Sequence, residues 1–144
     1  MREYADVALG NRLKEEQTMK KLVVSEKGPA PAGPYSPGLV AGDFVFVSGQ
    51  GPFHPETKAM GDTIQEQTKQ TLENVKAILE AGGTSMADVV KVTVLMTDLS
   101  EFQRMNKVYE EFFPKPAPTR TTFGVALAVP GMKIEIDAVA YVGK

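Results

Sequence analysis

The chain contains no cysteine, no tryptophan and a single histidine among its 144 residues. The absence of cysteine excludes disulfide bridges, thiolate catalysis and cysteine-ligated zinc. The one histidine, His54, stands in a turn without an acidic or histidine neighbour, so it predicts neither a catalytic triad nor a metal site. We therefore expect no metal cofactor.

Long apolar runs and an excess of basic charge are missing as well. No stretch approaches the ~18 apolar residues that identify a transmembrane helix, and residues 1–20 lack the apolar core of a secretion signal. The 16 Lys and Arg are outnumbered by 18 Asp and Glu, giving a formal net charge of -2, whereas nucleic-acid-binding domains are usually basic. These absences predict a cytosolic protein without a membrane partner and argue against a nucleic-acid partner.

What is present suits one folded domain. Apolar residues make up 42% of the chain and charged residues 24%, an ordinary balance for a soluble domain of this length. Residues 1–18 carry mixed charges and few apolar side chains, so we predict a flexible or marginally helical N-terminal extension. Residues 19–144 are predicted to form the single domain.

Hydrophobic periodicity predicts five strands and two helices in the order β, β, α, β, α, β, β. The predicted elements are residues 22–24, 44–49, 63–81, 89–97, 101–113, 120–129 and 133–142. Asp62 with Gln65 predicts a capping box at the start of the first helix. Gly82-Gly83 predicts where that helix ends.

The remaining boundaries come from capping and turn residues. Ser100 with Gln103 predicts the start of the second helix, and Pro114 ends it. Pro130-Gly131 predicts a type II turn between the last two strands. The loop 28–38 is rich in proline and glycine and is predicted to be irregular.

Helices alternating with strands favour an α+β two-layer sandwich, in which both helices pack on one face of a mixed sheet. The strands at Phe44–Val47 and Val92–Met96 carry apolar side chains on both faces. The face without helices therefore needs a cover. A second copy of the chain in a closed oligomer would supply it, and the loop 25–43 is the alternative.

Arg120 is the first candidate for the functional site. It opens a predicted strand, and alternation places it on the same face as the small residues Thr122, Gly124 and Ala126. A planar guanidinium with room beside it matches a carboxylate through two parallel hydrogen bonds. The alternative is a surface arginine paired with a carboxylate at the rim.

Glu135 is the second candidate. It shares a strand face with Asp137, Val139 and Tyr141, so carboxylates border an apolar strip. If a neighbouring copy covers this strip, burial raises the proton affinity of Glu135, which suits proton transfer near neutral pH. The alternative leaves both carboxylates in solvent.

Asn106 and Tyr35 are weaker candidates from the residues alone. Asn106 lies beside the apolar stripe of the second helix, where a buried amide needs a partner. It either satisfies backbone groups or orients a loop or a ligand. Tyr35 is an amphipathic side chain held by the proline- and glycine-rich loop, and ordinary packing is its alternative.

Six segments of the chain together resemble the RidA/YjgF/UK114 family, formerly called the endoribonuclease L-PSP family. They follow the family order over residues 20–144, and as a set they are highly specific. The segments are GPYSPG at 33–38, VSGQ at 47–50, QTLENVKAIL at 70–79, NKVYEEFF at 106–113, PTRT at 118–121 and KIEIDA at 133–138.

The resemblance implies a chorismate-mutase-like fold assembled as a homotrimer, with three clefts between neighbouring subunits. It also implies a cofactor-independent deaminase that hydrolyses 2-iminobutanoate and 2-iminopropanoate to 2-keto acids and ammonia, and so removes reactive metabolites. Arg120 would bind the substrate carboxylate, and Glu135 would activate water or pass protons. The other residues implied to line the cleft are Tyr35, Gly49, Asn106 and Thr122.

Two positions depart from the family pattern. Thr122 stands where many members have cysteine, and residues 124–131 lack the charged residues often found there. Because the cysteine position contributes backbone groups, threonine is expected to permit hydrolysis. The alternatives to the deaminase are a chaperone-like trimer that binds small carboxylates without turnover and an endoribonuclease, against which the acidic charge and the lack of a usable histidine argue.

Overall fold

The computed structural model describes residues 19–143, so the predicted extension at residues 1–18 lies outside the described residues. Within this part of the chain the six strands are β1 (Lys20–Val23), β2 (Gly38–Ala41), β3 (Phe44–Gln50), β4 (Val89–Met96), β5 (Thr119–Gly124) and β6 (Ile134–Tyr141). The two α-helices that lie wholly within it are α1 (Ile64–Ala81) and α2 (Phe102–Tyr109). Helices alternate with strands in the second half of this order, as the periodicity predicts.

The strands form one mixed sheet in the order β1-β2-β3-β6-β4-β5. Strands β4 and β5 are parallel, and all other neighbours are antiparallel. Strand β5 is therefore an edge strand, while β6 lies in the middle of the sheet. The predicted α+β sandwich, with a mixed sheet and two helices, is confirmed.

Helix α1 begins with a capping box one residue later than predicted. Thr63 has an extended backbone, so its side chain accepts a hydrogen bond from the backbone N–H of Glu66 at 3.1 Å. The Glu66 carboxylate accepts in return from the backbone N–H of Thr63 and of Asp62. The predicted pairing of Asp62 with Gln65 is wrong, because Thr63 is the residue that adopts the capping conformation.

The predicted second helix is divided into three segments. Asp98 accepts a hydrogen bond from the backbone N–H of Ser100 and starts a 3₁₀ turn at Leu99–Glu101, so the predicted cap at Ser100 is wrong. Helix α2 follows, and a further 3₁₀ turn at Glu110–Phe112 ends the helical stretch before Pro114. A 3₁₀ turn at a helix end continues the helical chain with tighter hydrogen bonds. Hydrophobic periodicity therefore does not separate the two 3₁₀ turns from α2.

Two strand predictions need correction. Strand β2 begins at the end of the predicted loop and is absent from the prediction. It has only four residues, and it forms because it pairs with β1 on one side and β3 on the other. Strand β5 ends at Gly124 and not at 129. The Leu99 side chain lies 3.1 Å from where a methyl group on Gly124 would be, and this close packing accompanies the departure of the chain from the sheet. The type II turn is present, since Gly131 has a φ of 83° and Met132 N–H bonds to the Val129 carbonyl.

The core lies between the sheet and the two helices. Alternate side chains of the central strands point toward the helices and are fully or almost fully buried. From the sheet these include Val45, Val47, Val92, Val94, Ile134 and Ile136, and from the helices Leu72, Val75, Leu79 and Met105. Burial of this set against water is the main driving force for the two-layer arrangement.

The opposite face of the sheet, here called the open face, carries large apolar side chains that stay exposed. Phe44, Phe46 and Tyr141 are 40%, 44% and 43% exposed, although all three lie on the central strands β3 and β6. The loop between β1 and β2 does not cover them, since all three side chains stay exposed while this loop is in place. The predicted two-faced apolar sheet is therefore confirmed. Within residues 19–143 no helix is long and apolar enough to span a membrane.

Candidate active site

Arg120 lies on the helix side of the edge strand β5. It is the register partner of Val92, whose side chain is buried beneath the helices, so the arginine side chain extends toward α2. There its Nη1 donates a hydrogen bond of 2.8 Å to Oδ1 of Asn106. Thr122 lies on the same face, because side chains two residues apart in a strand point the same way.

Two aromatic rings contact the same guanidinium. Its central carbon lies 4.7 Å from the ring centroid of Tyr109 and 5.4 Å from that of Phe102. Both rings come from α2, where the sequence pattern indicates only an apolar stripe. The signal that could have found them is the spacing of Phe102, Asn106 and Tyr109, which places an amide between two rings on one face of a helix.

No carboxylate neutralises Arg120 among residues 19–143. The ion pairs in this part of the chain join Lys76 with Glu80, and both Arg104 and Lys133 with Glu101. The alternative of a surface arginine paired with a rim carboxylate therefore has no partner within the described residues. The positive charge remains available to a ligand.

Glu135 lies on the open face, on the central strand β6. Its neighbours Ile134 and Ile136 are buried on the helix side, and its register partner is Leu95 of β4. A methyl group on Gly49 would lie 2.7 Å from an Oε atom of Glu135, so a glycine at this position gives the carboxylate its space. Tyr35, Ser48, Gly49 and Glu135 together line a cleft of about 300 Å³.

The surroundings of Glu135 favour its protonated form. Partial burial of the carboxyl group raises its pKa above the ordinary value of 4.5, and the nearby negative charge of Asp137 raises this pKa further. A carboxyl group whose pKa moves toward neutrality exchanges protons more readily at physiological pH. The chemistry predicted for Glu135 from the sequence is compatible with this environment.

Tyr35 is held in place by its own loop. Its hydroxyl accepts a hydrogen bond of 3.1 Å from the backbone N–H of Ala32, and its ring lies against Gly33. The loop is joined to β3 because the Ser48 hydroxyl donates to the carbonyl of Ser36 at 2.6 Å. The exposed ring therefore stands on a fixed support beside the cleft.

The six candidate residues form two clusters on opposite faces of the sheet. The arginine cluster (Arg120, Asn106 and Thr122) lies on the helix side of β5. The carboxylate cluster (Tyr35, Gly49 and Glu135) lies on the open face. The intervening strand β4 explains the separation, because Arg120 pairs with Val92 and Glu135 with Leu95, an odd number of residues apart. Within one chain, a small molecule cannot contact both clusters.

Comparison with known proteins gives the family. The profile of the family described as endoribonuclease L-PSP matches residues 25–142. A RutC family protein of Pyrococcus abyssi is 48% identical over 124 residues, which cover 85% of this chain and 97% of the relative. A protein of Salmonella typhimurium named 2-iminobutanoate/2-iminopropanoate deaminase is 42% identical over 125 residues, covering 85% of this chain and 98% of the relative.

A solved structure shows the same fold. TdcF of Escherichia coli, crystallised with bound serine, superimposes with a TM-score of 0.79 at 39% identity, covering 84% of this chain and 98% of that protein. The region that matches the family profile includes every strand and helix from β2 onward. The chain therefore belongs to the endoribonuclease L-PSP family, which is the RidA/YjgF/UK114 family indicated by its sequence motifs.

Proposed function

We propose that this protein is a cofactor-independent imine deaminase that hydrolyses 2-iminobutanoate and 2-iminopropanoate to 2-keto acids and ammonia. The proposal rests on Arg120. Its guanidinium is held in position by Asn106 and has no carboxylate partner among the described residues. The relative from Salmonella typhimurium that is named 2-iminobutanoate/2-iminopropanoate deaminase supports the choice of reaction. The cytosol stays the expected compartment.

The substrate carboxylate binds to Arg120. A 2-imino acid is small, and its carboxylate is its one permanent charge. The guanidinium offers two parallel N–H donors to that carboxylate, which fixes the position and the orientation of the C=N bond. Thr122, on the same strand face, contributes backbone groups beside the ligand.

Glu135 accepts and donates protons during the hydrolysis. The imine nitrogen takes a proton from solvent, and water adds to the imine carbon while the Glu135 carboxylate takes one proton from that water. Glu135 then gives this proton to the amino group of the resulting carbinolamine and takes the hydroxyl proton, so the C–N bond breaks and ammonia leaves as the C=O bond forms. The imine carbon is already electrophilic, so the reaction requires no cofactor.

Two copies of the chain are needed to complete this site. The arginine and carboxylate clusters face opposite ways in one chain, so Arg120 of one copy must lie over Glu135 of the next. The exposed apolar side chains of the open face border the carboxylate cluster and supply the surface for such contacts. A closed ring that repeats this head-to-tail contact three times forms a homotrimer with three equivalent clefts.

A second candidate function is a trimer that binds small carboxylates without turnover. The bound serine in the structure of TdcF favours it, since serine is an amino acid and not an imine. A direct assay separates the two candidates. A threonine dehydratase generates 2-iminobutanoate in place, and 2-ketobutanoate formation is followed with and without this protein. Acceleration over buffer supports the deaminase, whereas saturable binding of 2-ketobutanoate without acceleration supports the binding protein.

A further inference from the structure

The three α2 residues that contact Arg120 lie on one stripe of the helix. Phe102, Asn106 and Tyr109 are separated by four and three residues, which aligns their side chains along the face that meets β5. The guanidinium of Arg120 is thus contacted by two rings and by one amide oxygen. These three residues are called the arginine cage below.

Asn106 has both ends of its amide engaged within the protein. Its Oδ1 accepts from Nη1 of Arg120 at 2.8 Å, and its Nδ2 donates to Oε1 of Gln103 at 3.5 Å. A guanidinium has five N–H donors, so this hydrogen bond leaves four for a ligand. The shorter of its two contacts, the one made by Oδ1, is therefore directed at the arginine.

The two rings contact the positive charge through their faces, and the Tyr109 hydroxyl has no hydrogen-bond partner among the described residues. An aromatic face attracts a guanidinium through its electron density, and it offers no oxygen that would occupy the N–H groups. A carboxylate in the same place would bind Arg120 more strongly, but it would also neutralise the charge and block a substrate. Tyr109 does not compete as an anion, because burial raises its pKa to about 12 despite the opposing effect of the Arg120 charge.

We infer that Phe102, Asn106 and Tyr109 are positioning residues that fix the guanidinium plane of Arg120, and that Asn106 acts through Arg120 without binding the substrate itself. The inference rests on the proposed role of Arg120 as the carboxylate-binding group. It replaces the substrate contact that the family resemblance implied for Asn106. An arginine held in one orientation loses less rotamer freedom when a carboxylate binds, so the cage strengthens binding.

The test uses substitutions at the cage and a matched control. Asn106→Ala removes the hydrogen bond, Phe102→Leu removes one ring while keeping an apolar side chain, and Phe102→Tyr keeps the ring. Phe112→Leu is the control, because Phe112 also packs against the core but does not contact the guanidinium. We expect Asn106→Ala and Phe102→Leu to raise KM about 5- to 30-fold with little change in kcat. Phe102→Tyr and the control should stay near the unchanged protein.

A double-mutant cycle distinguishes positioning from direct contact. Calorimetric titration with 2-ketobutanoate measures carboxylate binding independently of turnover. If Asn106 acts through Arg120, Asn106→Ala weakens binding in the unchanged protein but adds nothing to Arg120→Ala. Equal losses in both backgrounds would overturn the inference, because they would show that Asn106 contacts the ligand directly.

Two further outcomes keep the inference separate from the proposed function. Thermal unfolding of each variant identifies folded protein, and Phe102→Leu serves if Asn106→Ala does not fold. If no variant, including the unchanged protein, hydrolyses imines but 2-ketobutanoate binding follows the predicted pattern, the deaminase proposal fails and the cage stands. If hydrolysis occurs and neither cage substitution changes KM or binding, the cage is refuted.

Discussion

Replacing Arg120 by alanine removes the only guanidinium in the arginine cluster. A two-point, charge-assisted pair with a carboxylate contributes about 2–4 kcal/mol when the site is shielded from water. This loss corresponds to a decrease in kcat/KM of roughly 30- to 1000-fold. Arg120→Lys keeps the charge but loses the planar pair of donors, so we expect activity well below that of the unchanged protein.

The fold should survive both substitutions of Arg120. The side chain is only partly buried and lies near the start of an edge strand. The alanine substitution removes one hydrogen bond and two cation–π interactions. Each of these ring interactions contributes about 0.5–1 kcal/mol at a partly exposed site, so their removal lowers the melting temperature by a few degrees without unfolding the domain.

The measurement pairs dehydratase-coupled imine hydrolysis with thermal unfolding and mass determination of each Arg120 variant. Full activity in a folded Arg120→Ala protein would refute the reasoning and place the carboxylate-binding group elsewhere. Activity lost together with assembly would show that Arg120 is structural. Activity lost in a protein that folds and assembles normally is the expected result.

Three further predictions follow from the carboxylate cluster and the open face. Gly49→Ala should reduce kcat/KM at least about tenfold, because the added methyl group meets the Glu135 carboxylate at 2.7 Å. Steady-state kinetics checks this, with an unchanged circular dichroism spectrum as the control for folding. Normal activity would contradict the prediction. If Glu135 acts as a base, kcat/KM should rise with pH through a pKa above 4.5. Asp137→Asn should move that rise to lower pH, because it removes one cause of the raised pKa of Glu135. An identical pH profile of kcat/KM in the variant would exclude this coupling. Sedimentation at micromolar concentration should give three times the chain mass of 15.6 kDa, and a monomer mass would remove the shared cleft.

Local sequence determined much of the framework. Apolar and Val-rich runs predicted β3 and β4 with apolar side chains on both faces, and alternating apolar residues predicted β6, because the two-residue period of a strand needs no tertiary information. The type II turn at Pro130-Gly131 followed from the fixed φ of proline and the positive φ that glycine tolerates. The motifs alone indicated the family and the six candidate residues.

Some elements depended on contacts between distant parts of the chain. Strand β2 has four residues and little pattern, and it exists because β1 and β3 lie on either side of it. Strand β5 ends at Gly124, next to Leu99 from a different part of the chain. The capping box of α1 was displaced by one residue, since Asp62 and Thr63 are both good caps and only the backbone conformation distinguishes them.

The arrangement of the site was decided by the tertiary structure. Sequence alternation shows which residues of one strand share a face with Arg120 or with Glu135, but it does not relate the faces of two different strands. That relation depends on strand order and register, here on the pairing of Arg120 with Val92 and of Glu135 with Leu95 across β4. The same long-range packing brings Phe102 and Tyr109 of α2 against Arg120. The sequence by itself therefore indicated six candidate residues, whereas the sheet register decided that they form two clusters facing opposite ways.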